Sequence, residues 1–218
     1  MSTVQQEHRI PQGVVERLPS YLNVLLHLRA DGLQTVSSAR LSELAEVNAA
    51  QIRRDLAYFG QFGKRGVGYD IGSLADQIQH ILGSDHVQRI AIIGAGNLGS
   101  ALASYDGLRS RGFTVAALFD ADHTKIGHRI GDLIVRNMNE LERVIAEQGI
   151  RFGVIAVPPD AAQSVANRLC SAGIRVIVNY STAFVDVPHE VTLHNTDPVR
   201  ELLHTLYYLS RAEGVAGA

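Results

Sequence analysis

Residues 89–120 read RIAIIGAGNLGSALASYDGLRSRGFTVAALFD. The run IAIIG is continuously apolar, Leu98 to Leu108 has helical spacing, and TVAALFD is a second buried strand. Between them GAGNLG, Gly94 to Gly99, follows a strand and opens a helix, the context that makes this hexapeptide informative. Gly94 permits a tight turn, Gly96 lets a pyrophosphate approach the backbone, and Gly99 lets helix and strand pack closely. The helix N-terminus offers free N–H groups and partial positive charge to phosphates. Asp120 follows Gly99 by 21 residues, where an acid accepts hydrogen bonds from the adenosine ribose. A 2′-phosphate there meets a like charge, so the pattern predicts NAD(H) over NADP(H). The bland alternative is a structural glycine turn with a solvated strand-end acid, but strand, glycines, helix, strand and acid occur in the right order.

Further strands are predicted at Arg129–Val135, Phe152–Val157, Val176–Asn179 and Val191–His194, with helices over Met138–Glu147 and Asp160–Ala172. That alternation predicts a parallel sheet covered on both faces, a Rossmann-like α/β domain. Upstream, Arg17–Arg29 reads as a first helix stopped near Gly32, and Ser37 or Ser38 caps a second that carries Leu41, Leu44 and Ala45 and ends near Glu46. Ala50–Phe59 is the third, with Ile52, Leu56 and Phe59 on one stripe and Gln51, Arg53, Arg54 and Tyr58 off it. Alternation around Val67, Tyr69 and Ile71 suits a β-hairpin. Three helices and a hairpin predict a winged helix, and Ser73–Leu82 reads as a connecting helix. The predicted division is 1–84 winged helix, 85–197 Rossmann-like domain and 198–218 C-terminal helix and tail.

The chain has 218 residues, 46% hydrophobic and 19% charged, enough for two modest domains of an ordinary soluble protein. Its single cysteine, Cys170, excludes an internal disulfide and fits a reducing compartment. The first residues lack the apolar core of a signal peptide and no apolar run is long enough to span a bilayer, so a cytoplasmic protein without membrane contact is expected. The nine histidines form no pair with metal-site spacing, so no metal is expected. His123, Lys125 and His128 follow Asp120 on a loop near the adenine end. Net charge is -2, yet between Ala49 and Gly68 Arg53, Arg54, Lys64 and Arg65 face Asp55 alone. That local field suits one segment meeting phosphate. Gln51, Arg53 and Arg54 are types that reach base edges and phosphates, and Lys64 and Arg65 beside glycines suit a backbone or minor groove. A protein-interaction module with a solvated basic loop is the competing reading of this segment.

The runs AQIRRDLAYFGQFGKRGVGYDIGSL, IAIIGAGNLGSALASYDGL, FDAD followed by KIG, and HNTDPVRELLHTLYYL resemble the Rex family of redox-sensing transcriptional repressors, in order and over nearly the whole chain. The resemblance implies a homodimer that binds palindromic double-stranded operator DNA through its winged helices. It also implies release of that DNA by NADH, with NAD+ competing for the same seat. It implies a C-terminal helix exchanged between subunits, which suits the apolar face of Pro198–Arg211. Carried onto this chain, the phosphate loop is Gly94, Ala95, Gly96, Asn97, Leu98 and Gly99, with Asp120 on the ribose and Lys125 beside it. Tyr105 matches the tyrosine that responds to the nicotinamide, and Asp197 the acid it pairs with when NADH is bound. The basic partner of that acid in the DNA-bound form falls in the first helix, where Asn23 stands, with Arg17 and Arg29 nearby. Phe119, Tyr105 and Pro158 are candidate walls of an apolar nicotinamide pocket. The competing class is an NAD-dependent oxidoreductase with a small helical oligomerisation domain. Tyr105, Tyr180 and His194 are its possible acid–base groups, but none sits in a recognisable constellation, so a regulator and not an enzyme is expected. A CoA- or nucleotide-binding accessory protein is a third class.

Overall fold

The computed structural model describes residues 10–60, 63, 67–197, 199, 202, 203 and 206. Two compact units divide between His86 and Val87.

In the first unit, α1 spans Gln12–Ala30, β1 Thr35–Val36, α2 Ser38–Ala45, α3 Ala49–Ala57, β2 Tyr69–Asp70 and α4 Ile71–Ile81. The helices begin where side chains satisfy free backbone donors: Ser37 Oγ accepts from Arg40 N at 3.0 Å, Asn48 Oδ1 from Ala50 N at 2.8 Å and Asp70 Oδ1 from Ser73 N at 2.8 Å. Leu18, Leu25, Leu41, Ile52, Leu56, Ile71 and Ile78 fill the core between them. Among the described residues, the segment around Val67, Tyr69 and Ile71, expected as a hairpin, pairs at longer range. Tyr69 lies opposite Val36 and Asp70 opposite Thr35, antiparallel, and Ile71 already belongs to α4. Gly68, at φ +93°, permits it, because a Cβ there would strike the Val36 carbonyl. Lys64 and Arg65 lie outside the described residues.

α3 is fastened to α1 by a carboxylate that the linear reading counted only as a charge. Asp55 is fully buried. It accepts from Arg17 Nε at 2.7 Å, a second Arg17 nitrogen at 2.8 Å, Tyr21 Oη at 2.7 Å and Gln51 Nε2 at 2.6 Å. Burial alone pushes Asp55 up, yet the bonds from Arg17, Tyr21 and Gln51 hold it below the usual carboxylate range.

In the second unit, β3 (Gln88–Ile93), β4 (Phe113–Asp120), β6 (Leu133–Asn137), β7 (Phe152–Ile155), β8 (Val176–Asn179) and β9 (Thr192–Asn195) are parallel, and β5 (Arg129–Ile130) pairs antiparallel with β6. The order is β5-β6-β4-β3-β7-β8-β9. The single strand expected at Arg129–Val135 is thus a hairpin, folded back at Gly131 and Asp132. The helix expected at Leu98–Leu108 is two pieces, α5 (Asn97–Ala103) and a 3-10 turn (Asp106–Arg111), broken where Tyr105 adopts extended backbone. α6 (Leu141–Gln148) and α7 (Pro159–Ser171) bury one face of the sheet over Ile93, Phe119, Ile155 and Ile177. Leu102 of α5 and Leu108 pack on the other, over Ile90, Ile92 and Leu118. That second face is covered only in part by the described residues: an apolar groove of about 150 Å³ remains, with Phe152, Val154, Val178 and Tyr180 on its walls.

Asp55→Ala is expected to cost the first unit about 2–3 kcal/mol in urea unfolding, because it strands the partners of a buried carboxylate. Asp55 is held below its unfolded value, so its contribution is complete above the ordinary carboxylate pKa of about 4 and fades as pH falls toward the lower folded value. Asp55→Asn should flatten that part of the stability–pH curve.

Candidate nucleotide crevice and DNA-reading helix

After β3 the chain runs to β4 on one side, and α6 later carries it back to β7 on the other. β3 and β7 stay paired to their C-terminal ends, Ile93 opposite Ile155, and the connections that leave them for opposite faces open a crevice there, the usual ligand position in such sheets. Gly94 turns the chain out of β3 at φ +105°, and its N–H donates to the Phe119 carbonyl at 2.8 Å. A Cβ on Gly94 would strike the Ala156 carbonyl, and one on Gly99 would overlap the carbonyl of Gly94. Around Gly96 nothing lies within 4 Å of where a Cβ would stand. Two of the glycines are thus consumed by packing and the third keeps the backbone open toward the crevice.

Asp120, at the end of β4, clasps this loop. Its Oδ2 accepts from Ala95 N at 2.8 Å and Lys125 Nζ at 3.1 Å, and its Oδ1 accepts from Asp122 N at 2.8 Å. Burial raises its pKa, but the Asp122 and Ala95 N–H groups and Lys125 outweigh it and hold the carboxyl below its usual range. The crevice holds about 720 Å³, with Gly94, Gly96, Asp120, Lys125, Pro158 and Arg168 on its walls. Arg168 is clamped by both oxygens of Glu142 at 2.8 Å and by the Met138 carbonyl at 2.7 Å.

The residues singled out from sequence divide accordingly. Gly94, Gly96, Asp120, Lys125 and Pro158 line the crevice, Ala95 and Gly99 are buried beneath it, and Asn97 and Leu98 are exposed at the start of α5. Phe119 is corrected: it is fully buried in the core beneath α6 and α7 and is no wall of the crevice. It shares the α6–α7 face with Ile93, Met138 and Val165, which reach the crevice, but is itself closed in the core beneath them. Tyr105 is exposed at the break after α5, in a separate cavity of about 240 Å³ with Arg109, Phe113 and Asp132. Asp197 is exposed, and its Oδ1 accepts from Val199 N at 2.9 Å. Arg168 and Met138 were missed. Arg168 sits on the polar side of an amphipathic helix, and its partner Glu142 is far off in sequence.

In the first unit, Arg53 and Arg54 are exposed on α3 and Tyr58 follows at its end. Arg53 donates to Ser38 Oγ at 3.0 Å, and Arg54 to Gln51 Oε1 at 2.8 Å. Gln51 is half-buried, with its amide NH2 on Asp55 and its carbonyl on Arg54, so it braces the arginine. Asn23 is exposed on α1, while Arg17 is committed to Asp55 and Arg29 to Asp76 at 3.2 Å. Among the described residues no group of three or more His, Cys, Asp or Glu could hold a metal ion, and no helix is long and apolar enough to cross a membrane.

Residues 9–57 match the family model for a putative DNA-binding protein N-terminus, and residues 85–183 the model for a CoA binding domain. The redox-sensing transcriptional repressor Rex of Chloroflexus aurantiacus is 45% identical over 203 residues, 93% of this chain and 96% of that protein. The chain belongs to the Rex family. The Rex of Streptomyces griseus is 42% identical over 205 residues, 94% of this chain and 81% of its own length. Among solved Rex-family structures, RSP in complex with beta-NAD+ and operator DNA superposes with a TM-score of 0.85 at 37% identity, covering 94% of each chain. RSP in complex with beta-NADH gives 0.85 at 36%, over 94% of this chain and 96% of that one. The architecture is that of the family: a DNA-binding N-terminal domain ahead of a mostly parallel Rossmann-like sheet.

The glycine geometry gives a stability test. Gly99→Ala, which drives a Cβ into backbone, is expected to cost about 3 kcal/mol in denaturant unfolding of the second unit. Gly96→Ala should cost no more than about 1 kcal/mol, the difference in N-cap preference.

Proposed function

We propose that two copies of this chain bind palindromic operator DNA through α3 and the segment after it, and that NADH in the glycine-loop crevice releases them, with NAD+ competing for the crevice. The observation that carries this is that the match to a redox-sensing repressor, 45% identical overall, covers 93% of the chain and so spans both the arginine-bearing helix and the crevice. The chain acts on this reading as a cytoplasmic regulator and not as an enzyme.

Arg53 and Arg54 meet bases and phosphates, Tyr58, Lys64 and Arg65 meet the backbone, and Gln51 holds Arg54 in place as well as facing the groove. The open backbone at Gly96 and the first N–H groups of α5, at Asn97 and Leu98, receive the pyrophosphate. Asp120 and Lys125 meet the adenosine ribose. When bound, the dinucleotide supplies a nicotinamide ring whose charge and planarity change with its redox state. Tyr105 and Asp197 read that change. A ligand releases DNA only by binding the non-DNA-binding arrangement more tightly than the other, so this reading must lie in groups that differ between the two arrangements. The segment 198–218 is exchanged between subunits, supported by the exposed apolar Val199, Leu202, Leu203 and Leu206. The functional domains follow as 1–84, 85–197 and 198–218.

The deciding experiment is a gel shift on palindromic operator DNA, titrated separately with NADH and NAD+. NADH should release the DNA and NAD+ should oppose it, whereas DNA binding indifferent to NADH defeats the reading. Arg54→Ala should weaken operator binding by about 1–3 kcal/mol with NADH affinity intact, and equal loss of both would contradict two separate sites. Tyr105→Phe should still bind NADH while the NADH-driven release weakens.

A further inference from the structure

Resting on the NAD(H) reading of the crevice, we propose that Lys125 is a specificity-determining residue, whose ammonium sets with Asp120 and Asp122 how strongly a 2′-phosphate is excluded. The strand-end acid is usually assigned that discrimination alone. Here its carboxylate is largely spoken for: Oδ2 carries the Ala95 N–H and Lys125 Nζ, and Oδ1 the Asp122 N–H. With two lone pairs on each oxygen, one acceptor position on Oδ1 stays open to a ribose hydroxyl. Asp120 is therefore a clasp for the glycine loop first and a ribose acceptor second, and its charge is shared with a cation 3.1 Å away.

The charges facing the ribose edge then decide the fate of a phosphate. Asp120, Asp122 and Lys125 all line the crevice, with Lys125 Nζ also 3.9 Å from Asp122 Oδ2. Two acids and one cation leave a net negative edge, which disfavours NADPH less than the acids alone would. The other cation on the crevice, Arg168, is balanced by Glu142. His123 is exposed on the same loop and adds to the count only when protonated. A unit charge at this range in half-exposed surroundings is worth about tenfold in affinity.

The test is calorimetric titration of the full chain with NADH and with NADPH, in the wild type, Lys125→Met and Asp122→Asn. The wild type should prefer NADH. Lys125→Met should weaken NADH about threefold and NADPH about thirtyfold, widening the ratio about tenfold. Asp122→Asn, which removes an acid without touching Asp120, should narrow it by a similar factor, and both shifts should shrink in high salt. Ratios that stay put in both variants while wild-type NADH binding is normal overturn the role of Lys125 alone. Complete loss of NADH binding in folded Lys125→Met would overturn it too, since the lysine would then be holding the loop. A wild type that binds neither dinucleotide overturns this inference and the proposed function together.

Discussion

A carboxylate taken out of water has to be bonded, and each unit of this chain is organised around one that is. In the second unit Asp120 accepts backbone N–H groups from the glycine loop and from its own following turn, so one side chain joins the ends of β3 and β4. In the first unit Asp55 gathers Arg17, Tyr21 and Gln51 and so ties α3 to α1. An unbonded charge in either position would cost several kcal/mol, so the donors and the backbone that carries them are held where the oxygens need them. The loop that faces the crevice and the helix that presents the arginines inherit their geometry from these two bonds.

On the proposed reading the crevice cannot tell oxidised from reduced dinucleotide at its Asp120 end, because the adenosine half of NAD+ and NADH is the same molecule. Discrimination has to come from groups near the nicotinamide. Tyr105 occupies the break between α5 and the 3-10 turn, exposed and in a cavity apart from the crevice. A side chain with that freedom can differ between two arrangements at little cost, whereas Phe119, locked in the core, cannot.

The parts of the fold legible in the sequence are those encoded within a few residues. Strand, glycines, helix, strand and acid follow one another between Arg89 and Asp120, and Ser37 carries its capping chemistry beside the helix it starts. What stayed hidden depends on distance along the chain. The two-residue pairing of Val36 with Tyr69 has no local pattern to announce it, and the clamp of Arg168 by Glu142 joins two separate helices. Phe119 was misplaced for another reason: a strand buried on both faces reads as an unbroken apolar run, which does not separate a residue closed in the core from one that reaches the crevice.

Asp55 shows how burial also alters a charge count. Along the chain it is the one acid set against Arg53, Arg54, Lys64 and Arg65, and a count of charges has it dilute their field. In the fold it is fully buried and paired with Arg17, so its charge is cancelled within the unit. Arg53 and Arg54 lie on the exposed side of the same helix, with Gln51 linking Arg54 to the buried acid. The outward face of α3 is therefore more positive than its composition, and that acid, through Gln51, braces Arg54 on it from within.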